Sequence, residues 1–382
     1  MIDRRTLLTA AAVLAAAPLP ALAPAPRTRW KLAASEGMDA IAFLGPLSGK
    51  PFYARFYESE IAAFKPRLPP QALEALAALH ARADAAGSLL WPGLALISSG
   101  GPTASLDDLL HGLANAETVL KPPLAAGEYW DAEDWDRFMA GREQLSLVLA
   151  ALRDADFTGF RRDLAQAQFD TRTRELQPLL GGLDVIAEQE RLLGRKLDPQ
   201  IEIELCWFCK PHGVKVQGQR FLTFVGARDQ VVVLTAAHEI LHPPIDMKGP
   251  AATAALGVLG QDALFTKILA EKDRQTVYNS LDGILNEDTA QALDQIIQER
   301  LGYVVRPAAE RWSQGDQGMH VLAAGLYGLL KADGYDRTGG NLEAWMLAAA
   351  RGGKLAPASL HAAAGKVLGK PADGLWTTPV AK

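Results

Sequence analysis

The stretch QVVVLTAAHEILHPP, residues 230–244, contains two histidines four positions apart, His238 and His242, with Glu239 directly after the first. On a helix, residues four apart lie on one face, about 6 Å apart along the axis. Both imidazoles can therefore bind one metal ion. Zinc takes imidazole nitrogens at about 2.0–2.1 Å in tetrahedral sites. The spacing predicts a zinc-binding helix.

Glu239 lies about 100° round that helix from His238, where its carboxylate could reach a water on the metal without being a ligand. Zinc lowers the pKa of such a water towards 7, and a carboxylate can take its proton during attack on a carbonyl. With 7 histidines in the chain, this arrangement arises by chance below about once in a hundred such sequences. The plain alternative is a histidine pair at a helix C-terminus, where positive charge suits the helix dipole.

Two prolines limit the helix. Pro243 lacks an N–H group and disfavours the α conformation for His242, so the helix is expected to end at or just after His242. The run VVVL at 231–234 is β-branched and apolar, and it indicates a strand, or the exit of one, that leads into the helix.

His238, Glu239 and His242 match the motif of the zincin metallopeptidases, which this chain resembles over about residues 200–300 at most. The metzincin branch of that family would require glycine at 245 and histidine at 248. The chain has isoleucine and lysine there, which excludes that branch.

The gluzincin branch takes its third ligand from a glutamate on a later helix, often in an Asn-Glu pair. Asn286 and Glu287 supply such a pair, although both residue types also favour the first turn of any helix. The 44-residue gap after His242 is longer than in thermolysin-like enzymes. Gln291 stands where those enzymes have a supporting aspartate, and Asp246 is a less well placed alternative ligand.

The resemblance also implies a donor for the oxyanion that forms on the attacked carbonyl. Tyr303, His320 and Tyr327 follow Glu287, and His320 is the chosen candidate. Its plain alternative is a helix histidine that faces a polar neighbour. The run FLTFV at 221–225 is expected to form an edge strand that binds an extended peptide.

The chain as a whole predicts an α+β fold that is mainly helical. Helical periodicity dominates 27–198 and returns after Pro244, and short β-type runs lie between them. We expect a zincin-like core with a small sheet beside the histidine helix, flanked by helical lobes. The predicted division is a helical N-terminal lobe at 24–199 and a metallopeptidase core with a helical C-terminal part at 200–382.

Residues 1–23, MIDRRTLLTAAAVLAAAPLPALA, have the order of a signal peptide: arginines, an apolar stretch and a small-residue cleavage site. DRRTLL resembles a twin-arginine export signal. The apolar part is too short to span a bilayer comfortably, so no stable membrane anchor is expected after cleavage. These features predict a periplasmic or secreted protein. The formal net charge of −5, without long charged runs, gives no reason to expect nucleic acid as a partner.

Cys206 and Cys209 are the only cysteines and form the run CWFC. One such pair cannot build a four-cysteine zinc site. In an exported protein a short-loop disulfide of structural character is expected. A thioredoxin-like role would place the pair at a helix N-terminus, whereas here both flanks indicate strand.

The leading hypothesis is an exported zinc-dependent metallopeptidase of gluzincin type that hydrolyses peptide or protein substrates. His238, His242 and Glu287 would bind Zn²⁺, and Glu239 would act as general base towards a zinc-activated water. One alternative is a non-catalytic zinc-binding protein on a zincin scaffold. Another is a periplasmic thiol oxidoreductase that uses the cysteine pair.

Overall fold

The computed structural model of the chain describes residues 26–127, 130–211, 213–272 and 278–379. The predicted signal peptide at 1–23 lies outside these residues. The fold is α+β and mainly helical, with 65% helix and one small sheet, as the sequence predicts. Among the described residues, no helix combines the length and the apolar character that crossing a bilayer requires.

The sheet of the described residues has four strands in the order β1-β2-β4-β3. The first three in this order are mutually parallel, and β3 runs antiparallel to β4 at the edge. The prediction that FLTFV forms the edge strand is wrong, because β4 lies between two neighbours. The strand bounds are β1 Arg29–Ala33, β2 Gln200–Cys206, β3 Val214–Val216 and β4 Arg220–Phe224.

Helices occupy most of the chain on both sides of β2 to β4. Those between β1 and β2 are α1 Glu36–Leu47, α2 Pro51–Ala54, α3 Glu58–Phe64, α4 Pro70–Ala85, α5 Leu90–Ser98, α6 Leu106–Ala114, α7 Ala116–Val119, α8 Lys121–Ala125, α9 Ala132–Asp154, α10 Phe157–Gly181 and α11 Val185–Leu193. Those after β4 are α12 Asp229–Glu239, α13 Pro250–Leu259, α14 Ala263–Glu271, α15 Leu281–Leu301, α16 Ala308–Gln314, α17 Val321–Ala332, α18 Tyr335–Thr338, α19 Leu342–Arg351 and α20 Pro357–Leu368.

The sheet separates two hydrophobic cores. Side chains of β2 alternate between its faces, so Ile201 and Ile203 enter the core built with the C-terminal helices. Cys206, together with Leu222 of β4, enters the core built with α1 to α9. The sheet thus takes strands from both sides of residue 200. The division into a lobe at 24–199 and a core at 200–382 stays a prediction.

A buried carboxylate ties α1 to the end of β2. Asp39 is fully buried and accepts hydrogen bonds from the guanidinium of Arg161 at 2.6 Å, from the backbone N–H groups of Trp207 and Phe208, and from the thiol of Cys206. A buried charge of this kind is tolerated because it is paired and hydrogen-bonded. The contact fixes where the chain leaves the sheet towards β3, the strand beside the histidines.

Helix α12 contains the run VVVL, so the prediction of a strand there is wrong. Val232, Val233, Ala236 and Ala237 are buried on the face that packs against the sheet, at the spacing of one helical stripe. Burial against β4 outweighs the weak preference of valine for strands. The helix begins at Asp229, whose carboxylate pairs with Arg172 at 2.8 Å. This packing places His238 in the last turn of a helix that lies on the sheet, and His242 three residues beyond its end.

Candidate metal centre

Three predicted ligands meet between α12 and α15. The Nε2 atoms of His238 and His242 are 3.0 Å apart. Glu287 places Oε1 3.5 Å from the first and Oε2 3.4 Å from the second. Within the part of the chain that the structure describes, these residues form a group that could hold a metal ion. The structure therefore brings together residues that are more than forty positions apart in sequence.

The spacing of these atoms fits a tetrahedral zinc site. A tetrahedron whose corners lie about 2.05 Å from its centre has edges of about 3.3 Å. The Nε2 separation of 3.0 Å is close to that length, and each Nε2 lies 3.4 or 3.5 Å from a different oxygen of the Glu287 carboxylate. Two imidazoles and one carboxylate also form a common donor set of catalytic zinc sites. The residues present thus fit a small divalent cation in their chemistry, and one ligand atom from each lies within 4.8 Å of the others.

The hydrogen bonds on the far sides of the imidazoles orient both rings towards that centre. His238 Nδ1 lies 2.8 Å from Asp294 Oδ2, and His242 Nδ1 lies 3.3 Å from Asn286 Oδ1. Both partners are acceptors, so each Nδ1 carries the proton. In neutral rings the two Nε2 lone pairs then face each other and the Glu287 carboxylate. A cation between them removes this repulsion, and either a proton or a metal ion can serve.

The charges around the centre favour a cation. Burial alone would lower the pKa of His238, but the carboxylates of Glu287 and Asp294 outweigh it, and this pKa lies well above its usual value. Burial would likewise raise the pKa of Glu287, but the two histidines hold it well below its usual value. The same field that attracts a proton attracts a metal ion, and the two compete for the imidazoles.

The histidine helix is shorter than predicted. Helix α12 ends at Glu239, and the N–H of Leu241 donates to the carbonyl of His238 at 3.0 Å, which tightens the final turn. Ile240 still has α-type backbone angles. The helical path up to that point brings His242 round to the face of His238, so the metal-binding spacing survives the early stop before the prolines.

Helix α15 presents Glu287 from its second turn. Ser280 caps this helix by accepting the N–H of Gly283. The Asn-Glu pair therefore lies beyond the first turn, and the plain explanation of the pair as a helix entrance does not apply. Asn286 instead orients His242, and Glu287 faces the imidazoles.

The supporting aspartate is present, two turns after Glu287 rather than one. Asp294 is fully buried, accepts from His238 Nδ1 and is paired with Arg311 at 2.9 Å. Burial would raise the pKa of Asp294, but the Arg311 charge outweighs it and the pKa lies below its usual value. Seven residues are about two helical turns, so Asp294 lies on the face of Glu287. Gln291, one turn on, instead donates to Glu287 Oε1 at 2.9 Å.

We expect Asp294→Asn to weaken zinc binding by about 10–100-fold, the usual effect of removing an outer partner of a ligating histidine. The cause is loss of the charge that orients His238 and raises its basicity. Competition with a chelating dye at fixed pH measures the change. Glu299→Gln on the same helix, whose carboxylate contacts Tyr327 and Lys331 instead, is the matched control. Equal zinc affinity in both variants would contradict the role of Asp294.

Glu239 lies at the end of α12 with its carboxylate directed towards β3. Its Oε2 accepts the backbone N–H of Lys215 at 3.0 Å. The hydroxyl of Tyr278 hydrogen-bonds Glu287, and burial followed by the negative charges of Glu287, Asp316 and Glu239 raises the pKa of this phenol. Tyr278 is therefore protonated at neutral pH and lies within electrostatic range of both glutamates. Tyr278 cannot be predicted from the sequence, because no helical spacing connects it to the motif.

The side chain of Gln291 lies between His320 and Glu287 and contacts both. Its Nδ1 is 2.5 Å from Asp288 Oδ1 and its Nε2 is 2.9 Å from Asp316 Oδ2. Burial would lower the pKa of His320, but these carboxylates raise it to about 10. The ring is thus an imidazolium at neutral pH, and its Nε2 is 3.3 Å from the amide of Gln291. The structure places His320 beside the centre with both nitrogens engaged.

Tyr303, Tyr327 and Asp246, the remaining candidates from the sequence, each have other surroundings. The hydroxyl of Tyr327 donates to Glu299 at 2.6 Å, and Tyr303 is partly buried near the end of α15. Asp246 is exposed and accepts the backbone N–H of Lys248 at 2.9 Å. Asp246 does not belong to the metal cluster of the described residues.

The cysteines are both free and buried. The thiol of Cys206 donates to Asp39 at 2.8 Å, and burial raises its pKa well above the usual value. A thiol nucleophile requires the opposite shift, because the thiolate is the reactive form. A disulfide between the two cysteines was expected, but none joins them in this structure. The oxidoreductase alternative gains no support from the surroundings of the pair.

Comparison of the chain with models of protein families, with curated proteins and with solved structures found no match.

Proposed function

We propose that this chain is an exported zinc-dependent metallopeptidase with a zincin-like centre of gluzincin type. The observation that carries the proposal is the meeting of two imidazole Nε2 atoms 3.0 Å apart with the Glu287 carboxylate, which has an oxygen within 3.5 Å of each. Three protein ligands leave the fourth position of a four-coordinate zinc for water or substrate, as in catalytic sites, whereas structural sites use four protein ligands.

Bound zinc would polarise a substrate carbonyl and lower the pKa of water to about 7. Glu239 is the proposed general base, and the Lys215 N–H holds its carboxylate in place while leaving the second oxygen to take a proton. Asp294 and Asn286 fix the imidazoles. His320 remains the proposed donor to the oxyanion.

Tyr278 is a second candidate for the oxyanion donor. Its phenol keeps its proton and lies close to Glu287 and Glu239, whereas both nitrogens of His320 already face carboxylates. A neutral O–H group that can exchange one partner for another suits a charge that develops only in the transition state.

A peptide substrate is favoured by the strand next to Glu239. Among the described residues, β3 pairs only with β4, and its other edge faces away from the sheet. An extended peptide could add to this edge by donating main-chain hydrogen bonds to its carbonyl oxygens, since the Lys215 N–H is already bonded to Glu239. Lys215, the central residue of β3, donates its N–H to the proposed base. A peptide on β3 would therefore pass beside the centre.

Removal of zinc tests the proposed function. We expect 1,10-phenanthroline to reduce cleavage of casein or of a peptide library to background, and one equivalent of zinc to restore it. The isomer 1,7-phenanthroline, whose nitrogens cannot chelate one ion, is the matched control. Zinc binding without cleavage of any peptide would favour the non-catalytic alternative. Cleavage that survives complete zinc removal would contradict the proposal.

A further inference from the structure

A chain of two buried hydrogen bonds connects Trp312 of α16 to the carboxylate of Glu287. The amide nitrogen of Gln291 donates to Glu287 Oε1 at 2.9 Å. The amide oxygen of Gln291 accepts the indole N–H of Trp312, also at 2.9 Å. Both side chains are buried, Trp312 to 1% and Gln291 to 8% of full exposure. A tryptophan that touches no proposed ligand is therefore linked to one by a path that solvent hardly reaches.

The order of donors and acceptors along this chain permits one orientation of the Gln291 amide. An indole N–H can only donate, and an ionised carboxylate can only accept. The amide between them therefore turns its oxygen to Trp312 and its NH2 group to Glu287. The reverse orientation would place an oxygen against the carboxylate and an NH2 group against the indole N–H, and both contacts would be repulsive.

A second donor near Gln291 makes the contact with Trp312 necessary. His320 faces a carboxylate with each of its ring nitrogens, so both nitrogens carry protons. Its Nε2 lies 3.3 Å from the amide nitrogen of Gln291. A protonated nitrogen at that distance attracts an amide oxygen and repels an amide NH2 group. The N–H of Trp312 competes for the same oxygen and keeps the NH2 group on Glu287.

The residue before Trp312 supports a second ligand in a similar way. Arg311 donates to Asp294 at 2.9 Å, and Asp294 accepts from Nδ1 of His238. Arg311 and Trp312 are consecutive residues of α16, whereas the ligands that they support lie on α12 and α15. One turn of a short helix thus contacts the outer partners of ligands from two other helices.

From these contacts we infer that Trp312 is a positioning residue of the metal centre, which acts through Gln291 to hold the Glu287 carboxylate towards the imidazoles. The inference rests on the proposed zinc site but not on peptide cleavage. Loss of a partner that contacts a ligand directly costs about 10–100-fold in metal affinity. Trp312 lies one hydrogen bond further out. We therefore expect about fivefold weaker zinc binding in Trp312→Phe, the contribution of one neutral hydrogen bond.

A double-variant cycle, measured by competition with a chelating dye, tests the path through Gln291. Trp312→Phe keeps an aromatic ring and removes the N–H. Gln291→Met keeps the length of the side chain, removes both ends of the amide and should weaken zinc binding by about 10–100-fold. The variant with both changes should bind zinc as tightly as Gln291→Met alone, because no amide is left to orient. A merely structural role of Trp312 would weaken binding equally in both backgrounds.

Bound cobalt gives a readout that a loss of stability alone would not change. The visible d–d bands of Co²⁺ depend on the positions of its ligands, so they should shift in Trp312→Phe. Trp135→Phe is the matched control, because Trp135 is also buried and its indole N–H donates to a glutamate, Glu117, at 3.3 Å. Its zinc affinity and cobalt spectrum should equal those of the unmodified chain.

Two results would overturn the inference: zinc affinity and cobalt bands of Trp312→Phe equal to those of Trp135→Phe, or a loss of the same size with and without Gln291→Met. Circular dichroism verifies that each variant is folded, and the comparison of the two tryptophan variants decides even where Gln291→Met does not fold. Either result leaves the proposed function standing. Absence of zinc binding by the unmodified chain would overturn both.

Discussion

Bound zinc is expected to fall from about one ion per chain to a small fraction in His238→Ala. The variant keeps only two of the three protein ligands, and it also leaves Asp294 without the imidazole that it orients. Changes to outer partners alone cost about 10–100-fold in metal affinity, so loss of a ligand should exceed 100-fold. Elemental analysis of protein dialysed against zinc-buffered solution measures the stoichiometry.

Stability gives a second readout of the same loss. A ligand that binds the folded chain and not the unfolded one stabilises it, by about 4 kcal/mol when its concentration is 1,000 times the dissociation constant. Zinc should therefore raise the melting temperature of the unmodified chain and leave that of His238→Ala nearly unchanged. His361→Ala is the matched control, because His361 also faces an aspartate, Asp262, at 2.7 Å. Full zinc content in His238→Ala would contradict the proposed ligand set.

Glu239→Gln is expected to keep zinc and to lose peptide hydrolysis by about 10²–10⁴-fold, the usual contribution of a general base. The amide has nearly the shape of the carboxylate but cannot take a proton from water. In activation free energy this is about 3–5 kcal/mol, which should appear in kcat. Rates with a quenched fluorescent peptide, normalised to zinc content, measure the effect.

The control for this substitution is Glu202→Gln on β2, which removes a carboxylate whose partner is the exposed Lys31. Its rate should equal that of the unmodified chain, since surface pairs contribute little. Two outcomes would oppose the role assigned to Glu239. Unchanged hydrolysis would mean that it is not the base, and loss of zinc would mean that it is a ligand.

The two histidine ligands could be predicted from the sequence because a local rule applies to them. The four-residue spacing of His238 and His242 holds for any helical turn, even one that ends early. Glu287 required the resemblance to gluzincins, since no local rule connects it to histidines 45 and 49 positions earlier. The mainly helical α+β class followed from periodicity, which the structure confirms.

The errors have physical reasons. VVVL favours strand by residue type. The run is nevertheless helical, and Val232 and Val233 are buried on the helix face that packs against the sheet. The edge position of β3 depends on strand order, which pattern alone does not determine. Asp294 could have been identified, because seven residues return to the same helix face. Tyr278 and Arg311 reach the centre through tertiary packing, and no spacing in the sequence indicates them.

Anomalous scattering at the zinc edge, from crystals of the chain purified without chelator, tests the central claim most directly. We predict one strong peak about 2.0–2.1 Å from the Nε2 atoms of His238 and His242, with a Glu287 oxygen at about 2.0–2.2 Å. Absence of a peak between these three side chains, in protein that has been supplied with zinc, would contradict the account.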